Sequence, residues 1–257
     1  MRGIDVSSHQ GKIDWKTVKS SGIDFAIIRA GYGNSTVDKC FEYNITEALK
    51  AGLKVGAYWF CYALNEKEAR EEADFCIKTV KPYKLSFPII YDFEYDTERY
   101  AKEHKVTFTP QSRASIIKAF CDRAKELGHK AGIYTNLDYI NYRLNLSDLE
   151  AYPLWLAAYG GNKEQSIYGE ILKQVSDSGK VDGISGDVDM NVCFIDLTDT
   201  DNEPTEWSKE AIEWAVKNKI LQGDENGDYK LREPCTTERF ITLLYRALKN
   251  IELDIGE

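Results

Sequence analysis

No stretch of the 257 residues is apolar for long enough to cross a bilayer, and Met1-Arg2-Gly3-Ile4-Asp5 runs straight into a strand pattern with no secretory leader before it. The expectation is a chain made in the cytoplasm with no membrane partner. Basic clusters are missing too: the net charge is -9, and binding nucleic acid requires grouped Lys and Arg to neutralise phosphates, so nucleic acid is excluded as a main ligand. The 3 histidines (His9, His104, His129) are scattered without ligand spacing, and the 6 cysteines (Cys40, Cys61, Cys76, Cys121, Cys193, Cys235) contain no C-x-x-C pair. No metal, no cofactor and no disulfide framework is expected, and most of the thiols sit in apolar contexts that suit reduced, buried cysteine.

What the chain does have is apolar content (43%) ample for a packed core and many flat amphipathic rings, with 5 Trp and 16 Tyr. Such rings fill ordinary cores and also line sugar-binding clefts. The most informative segment is Phe87-Pro88-Ile89-Ile90-Tyr91-Asp92-Phe93-Glu94. It reads as a buried strand closed by two acids, and side chains two apart on a strand share a face. Crowding two carboxyls at a strand end raises the pKa of at least one of them, which leaves a proton available near neutral pH for acid catalysis on a glycosidic bond. The competing reading is a plain polar edge where strand meets loop.

Up to about residue 196, strand-like runs alternate with helical ones. Candidate strands are 3–7, 24–30, 54–62, 87–94, 130–135, 153–159, 170–176 and a short piece near 187–191. Asn65 with Glu68 predicts a capping box, Thr109-Pro110 predicts the cap and first turn of a helix that stops at Gly128, and residues 40–51 predict a helix ended by Gly52. This alternation predicts an α/β fold, a TIM-like (β/α) barrel with short or missing helices in its second half. Barrels of this kind keep their sites at the carboxyl ends of the strands. Asp5, Asp92 and Glu94 fall at such ends and Asp189 lies in the last strand segment, so four acids are expected at one mouth.

The acidic, aperiodic residues 197–205 read as a linker between a barrel domain, 1–196, and a small all-α module, 206–257. In that module an amphipathic run from Trp207 and a second one carrying Phe240, Ile241, Leu244 and Leu248 flank the turn Gly223-Asp224-Glu225-Asn226-Gly227-Asp228. The turn superficially resembles the start of a calcium loop. Its glycine precedes the third acid and its twelfth position is Cys235 rather than Glu, which favours an ordinary Asn-Gly turn.

Gly3-Ile4-Asp5-Val6-Ser7-Ser8-His9-Gln10-Gly11-Lys12-Ile13-Asp14-Trp15 closely resembles the opening of glycoside hydrolase family 25 lysozymes. Further matches follow in order: Phe25 to Gly31, Gly56-Ala57-Tyr58, Asp92-Phe93-Glu94, Gly132-Ile133-Tyr134, Pro153 to Ala157 and Val181 to Asn191. The resemblance covers roughly residues 1–195. It implies a lysozyme of the phage-type endolysin kind that hydrolyses the β-1,4 bond between N-acetylmuramic acid and N-acetylglucosamine in bacterial peptidoglycan, reaching the wall after release from the cell. By motif, Glu94 would be the general acid and Asp92 would stabilise the 2-acetamido group or the developing positive charge. Asp5 and Asp189 would be supporting carboxylates, with Tyr32, Tyr62, Tyr134 and Trp155 as candidate substrate-binding residues. Family members often carry Trp-Gln-Tyr where this chain has Lys173-Gln174-Val175, a departure that removes two aromatics and leaves room for chitin or another N-acetylhexosamine polymer. A non-catalytic wall-binding protein is the third reading. Trp207 to Leu248 resembles a single S-layer-homology module, which implies cell-wall polymer binding; an acidic balance makes self-association its rival.

Overall fold

The computed structural model describes residues 1–163, 165–195, 204, 206–223, 229–231 and 235–254. Most of the expected linker, 197–203 and 205, and the Asp224–Asp228 turn lie outside the described residues. The chain divides into two compact units, Met1–Ile195 and Asp196–Glu257.

The first unit is a closed barrel. Its strands are β1 (Arg2–Val6), β2 (Phe25–Tyr32), β3 (Thr36–Val37), β4 (Lys54–Phe60), β5 (Ile89–Asp92), β6 (Ala131–Asn136), β7 (Leu154–Ala157), β8 (Leu172–Gly179) and β9 (Val188–Cys193). They pair in the order β1-β9-β8-β7-β6-β5-β4-β2-β3, and β1 also pairs with β2, so eight strands close on themselves while β3 hangs antiparallel on β2. Pairing is parallel from β1 through β2, β4, β5, β6 and β7 to β8, whereas β9 runs antiparallel to both of its neighbours. Strands buried on both faces explain the nearly continuous apolar run Phe25-Ala26-Ile27-Ile28.

Alternation along each strand separates two packing layers. Outward-facing Ile4, Val6, Ala26, Ile28, Val55, Ala57 and Trp59 join helix residues such as Val18, Ile45, Ala73, Ile77, Ile117 and Phe120 in one core. Inward-facing Phe25 meets Phe87 at 5.1 Å between ring centroids and plugs the barrel below the acids. The plug needs Gly3: a Cβ there would stand 2.4 Å from the Phe25 ring.

The helices are α1 (Trp15–Ser20), α2 (Phe41–Lys50), α3 (Glu66–Val80), α4 (Tyr95–Glu103) and α5 (Pro110–Glu126). Thr109 caps α5 as expected, its hydroxyl accepting from Ser112 N–H at 3.2 Å while Ser112 Oγ accepts from Thr109 N–H at 2.8 Å. At α3 the box is shifted by one residue. Asn65 accepts from Glu68 N–H at 3.1 Å, but the Glu68 carboxylate reaches back to Leu64 N–H at 2.7 Å. Among the described residues after β6, only single turns occur before β7 (Tyr139–Arg143 and Leu146–Leu149), no helix lies between β7 and β8, and β8 and β9 form a hairpin.

In the second unit a turn at Glu206–Ser208 leads into α6 (Lys209–Lys217), and α7 spans Thr237–Asp254. Two arginines tie α7 to the chain that follows α6: Arg246 donates to Ile220 O at 3.2 Å, and Arg239 donates to the carbonyls of Tyr229 and Lys230.

Candidate active site

The four expected acids reach one mouth by two different routes. Asp5 and Asp92 sit at the carboxyl ends of β1 and β5. Asp189 arrives at the amino end of β9, because that strand is antiparallel and its register sets Asp189 directly opposite Asp5. Glu94 lies beyond β5 rather than on it. Its backbone stays extended (φ -147°, ψ -165°) as the residue that precedes α4, so the two-residue alternation still carries its side chain to the Asp92 side. Cys61 fixes this junction, with its N–H donating to Asp92 O at 2.9 Å and its carbonyl accepting from Thr97 Oγ1 at 2.8 Å. Thr97 Oγ1 in turn accepts from Glu94 N–H at 3.4 Å.

Asp5, Asp92, Glu94 and Asp189 line a cleft of about 650 Å³ together with Tyr32, Tyr62, Tyr134 and Trp155. A cavity of about 720 Å³ between α1 and α2 is larger, but its two acids are already committed: Asp14 caps α1 through Thr17 N–H at 3.1 Å and Glu47 pairs with Lys50 at 2.8 Å. Tyr32 and Tyr62 meet edge-on at 6.0 Å on the cleft wall, and Tyr134 packs on Trp155 at 4.7 Å. Trp155 is only 2% exposed, so it positions other groups more than it meets solvent.

Beneath these side chains runs an amide network. Trp155 Nε1, a donor only, gives its proton to Asn191 Oδ1 at 2.8 Å, which turns Asn191 Nδ2 to Asp5 Oδ2 at 2.7 Å. Gln174 uses its whole capacity. Its Oε1 accepts from Tyr134 at 2.9 Å and Tyr159 at 2.7 Å, while its Nε2 donates to Asp5 Oδ2 at 2.9 Å and Asp189 Oδ2 at 3.3 Å.

Neither Gln174, Asn191 nor Tyr159 stands out in the sequence, yet together they hold the carboxyls in place. The missed signal was the phase of β8. Gln174 faces the cleft, so Lys173 and Val175 face away from it: Lys173 is 1% exposed and donates to the carbonyls of Asn162 and Gln165 at 3.1 Å each, and Val175 belongs to the outer core. The exchange of aromatics for Lys173 and Val175 therefore removes nothing from the cleft wall. With it goes the observation that left room for a chitin-like substrate.

Five carboxyls line this partly closed cleft, Asp96 among them, and so many do not all ionise at neutrality. Burial, then Asp189 beside it, raises Asp5 well above the ordinary carboxylate range, while burial, Glu94 and Asp5 do the same to Asp92. Asp189 is raised chiefly by burial, with its hydrogen bond to Asp5 working the other way. Glu94 is pushed up to about 7 by burial and by Asp96 and Asp189. Its place at the start of α4 works the other way, but a helix terminus contributes less than about one pKa unit and loses. Among the described residues lining the cleft, Arg29 is the only lysine or arginine, and its Nε is already bound to Asp38 at 2.8 Å. Asp92 Oδ1 is buried with no hydrogen-bond partner in the protein.

Stability should follow from this with a definite sign. Glu72, buried on α3 where it accepts from Tyr62 N–H at 3.0 Å and Tyr91 OH at 2.7 Å, is raised by burial to about 8. For all these groups the folded state binds more protons than the unfolded one, so their contribution is complete below about pH 4.5 and is lost as pH rises through the folded values near 7 and 8. Urea unfolding is expected to give a lower free energy at pH 8.5 than at pH 5.5, and Glu72→Gln should flatten that slope. An unfolding free energy that rises across the window would contradict the assignment.

All six cysteines are free thiols, with Cys61, Cys76, Cys121 and Cys193 buried. Among the described residues no group of three or more His, Cys, Asp or Glu is arranged to hold a metal ion, and no helix is long and apolar enough to cross a membrane.

An α/β barrel whose mouth holds paired carboxyls, one still protonated near neutrality, has the equipment of a glycoside hydrolase. Residues 4–184 match the model of glycosyl hydrolases family 25, and the chain belongs to that family. It is similar to an autolytic lysozyme of Clostridium acetobutylicum, 30% identical over 191 residues that make up 74% of this chain and 55% of the relative. Lysozyme M1 of Streptomyces globisporus is 31% identical over 199 residues, 74% of this chain and 67% of that protein. Among solved structures, the modular autolysin LytC from Streptococcus pneumoniae in complex with a synthetic peptidoglycan ligand aligns with a TM-score of 0.66 and 31% identity over 75% of this chain and 46% of that one. The chain thus spans about half the length of the first relative and of this structure.

Proposed function

We propose that this chain is a lysozyme hydrolysing the β-1,4 bond between N-acetylmuramic acid and N-acetylglucosamine in bacterial peptidoglycan. The observation that carries the reading is Glu94, pushed up to about 7 and lining one cleft with Asp92, Asp5 and Asp189. Glu94 donates its proton to the leaving glycosidic oxygen. Asp92, which lines the same cleft, accepts the N–H of the substrate's 2-acetamido group and turns the acetamido oxygen toward the anomeric carbon. Attack by that oxygen gives an oxazolinium-like intermediate, and Glu94, now a carboxylate, takes a proton from the water that opens it. The negative charge shared by Asp5 and Asp189 favours the positive charge that develops on the sugar. Similarity to proteins named lysozymes and autolysin, one of them solved with a peptidoglycan ligand, supports the substrate class.

Digestion of purified peptidoglycan followed by borohydride reduction tests the reading. Muramitol is the expected reduced sugar. Glucosaminitol would assign the cut to the other glycan bond, and new amines without new reducing ends would remove the glycosidase assignment altogether. Residues 206–257 are assigned by the same proposal to cell-wall polymer binding or self-association. A chain ending at Ile195 should then keep its turnover on soluble glycan while losing wall retention or its sedimentation as a dimer.

A further inference from the structure

Among the described residues of the barrel unit, more than half of the exposed large apolar and aromatic side chains sit on the connections that follow three neighbouring strands, β5, β6 and β7. They are Tyr95 after β5, Tyr142 after β6, and Tyr159, Ile167 and Tyr168 between β7 and β8, with exposures from 41% to 80%. Leaving such groups in water is costly unless something covers them, and tyrosine suits a surface that is wet in one state and covered in another.

The loop between β7 and β8 stands where a barrel helix would otherwise run, and it is propped from within by two buried charges. Glu170, 2% exposed, accepts from Ser166 Oγ at 2.9 Å, from Ile167 N–H at 2.9 Å and from Tyr168 N–H at 2.8 Å. Lys173, 1% exposed, holds the Asn162 and Gln165 carbonyls. Burying a carboxylate and an ammonium is expensive and is offset only by dense hydrogen bonding of this kind. The result is a loop whose backbone is clamped while the Ile167 and Tyr168 side chains stand outward, already ordered for a ligand. Tyr168 OH also donates to Asn141 Oδ1 at 3.4 Å, which joins this loop to the one after β6, and Tyr95 OH is held by Asp138 at 3.0 Å. Tyr159 begins the same loop, and its bond to Gln174 places it in the catalytic cleft. The loop that carries Ile167 and Tyr168 therefore starts at the wall of the site.

We propose that Tyr159, Ile167 and Tyr168, flanked by Tyr142 and Tyr95, form a ledge on which the glycan strand continues beyond the cleft, so that long strands are bound better than short oligosaccharides. The occupant follows from continuity: a polymer held at the acids must leave the cleft, and pyranose faces carry the C–H groups that stack on such rings. The inference rests on the glycan-hydrolase reading above and adds the chain-length preference of that same site.

The test uses the full chain with Tyr168→Ala, Ile167→Ser and the pair together. Reducing-end release is measured on a purified tetrasaccharide of two repeats and on long glycan strands freed of their peptides. For long strands KM should rise roughly three- to ten-fold, the size one aromatic contact supports, with kcat unchanged and the tetrasaccharide unaffected. Thermal melting at the wild-type temperature shows that the variants fold. Equal losses on both substrates, or wild-type kinetics on both, would overturn the ledge while leaving the lysozyme reading intact. If the wild-type chain cleaves neither substrate, both fall together.

Discussion

Glu94→Gln is expected to lower glycan turnover by about 10³-fold or more while leaving binding to insoluble wall unchanged. The amide keeps the shape of the side chain but has no proton to give to the leaving oxygen. It also removes one charge from a cleft that holds too many. Above pH 7, where Glu94 ionises against Asp96 and Asp189, the variant should melt no lower than the wild type. In the wild-type chain the alkaline limb of kcat/KM should fall near pH 7, as an apparent value that belongs to the coupled cluster. Turnover in Glu94→Gln within tenfold of wild type would assign the acid elsewhere.

The second large effect is expected at Gln174, a residue that meets the acids without being one. Gln174→Leu strips one of two donors from Asp5, the donor from Asp189 and the acceptor from Tyr134 and Tyr159. Orphaned buried polar groups cost about 1–3 kcal/mol each, and with partial relaxation the unfolding free energy should fall by about 2–4 kcal/mol, read by urea titration at pH 6. Activity should fall by roughly 10²-fold, because Asp5 and Asp189 lose the contact that holds them in place and hence the field on the sugar. Gln174→Glu separates the two effects. It keeps an acceptor for both tyrosines but adds a further carboxyl, so the alkaline limb should move to higher pH. An unchanged limb would mean that Gln174 supports the fold without tuning the acids.

Much of this was legible before any coordinates. Asp92 and Glu94 announce themselves as charges closing an apolar strand, and the ordered motifs place Asp5 and Asp189 at the same mouth. The direction of β9 was harder to read. Its hairpin connection to β8, residues 180–187, is nonetheless too short for a parallel crossover of a dozen residues or more, so loop length already carried that signal. The phase of β8 was misread because aromatics were sought at Lys173 and Val175. A glutamine in a strand buried on both faces was the better clue, since an amide is kept there only when all its hydrogen bonds are met. Glu170 and Lys173 were opaque for a different reason. Charged residues at a strand's start or middle read as its solvated positions, and only the folded loop shows that both are buried against backbone.

The central claim is that Glu94 acts by protonating a leaving oxygen. It is tested most directly by giving Glu94→Gln a leaving group that needs no proton, a dinitrophenyl glycoside of chitobiose, beside the natural glycan. The predicted result, read as kcat/KM because Glu94 also serves the later water attack, is a loss of about 10³-fold on the glycan with the aryl glycoside within about tenfold of wild type. Equal loss on both substrates would contradict it.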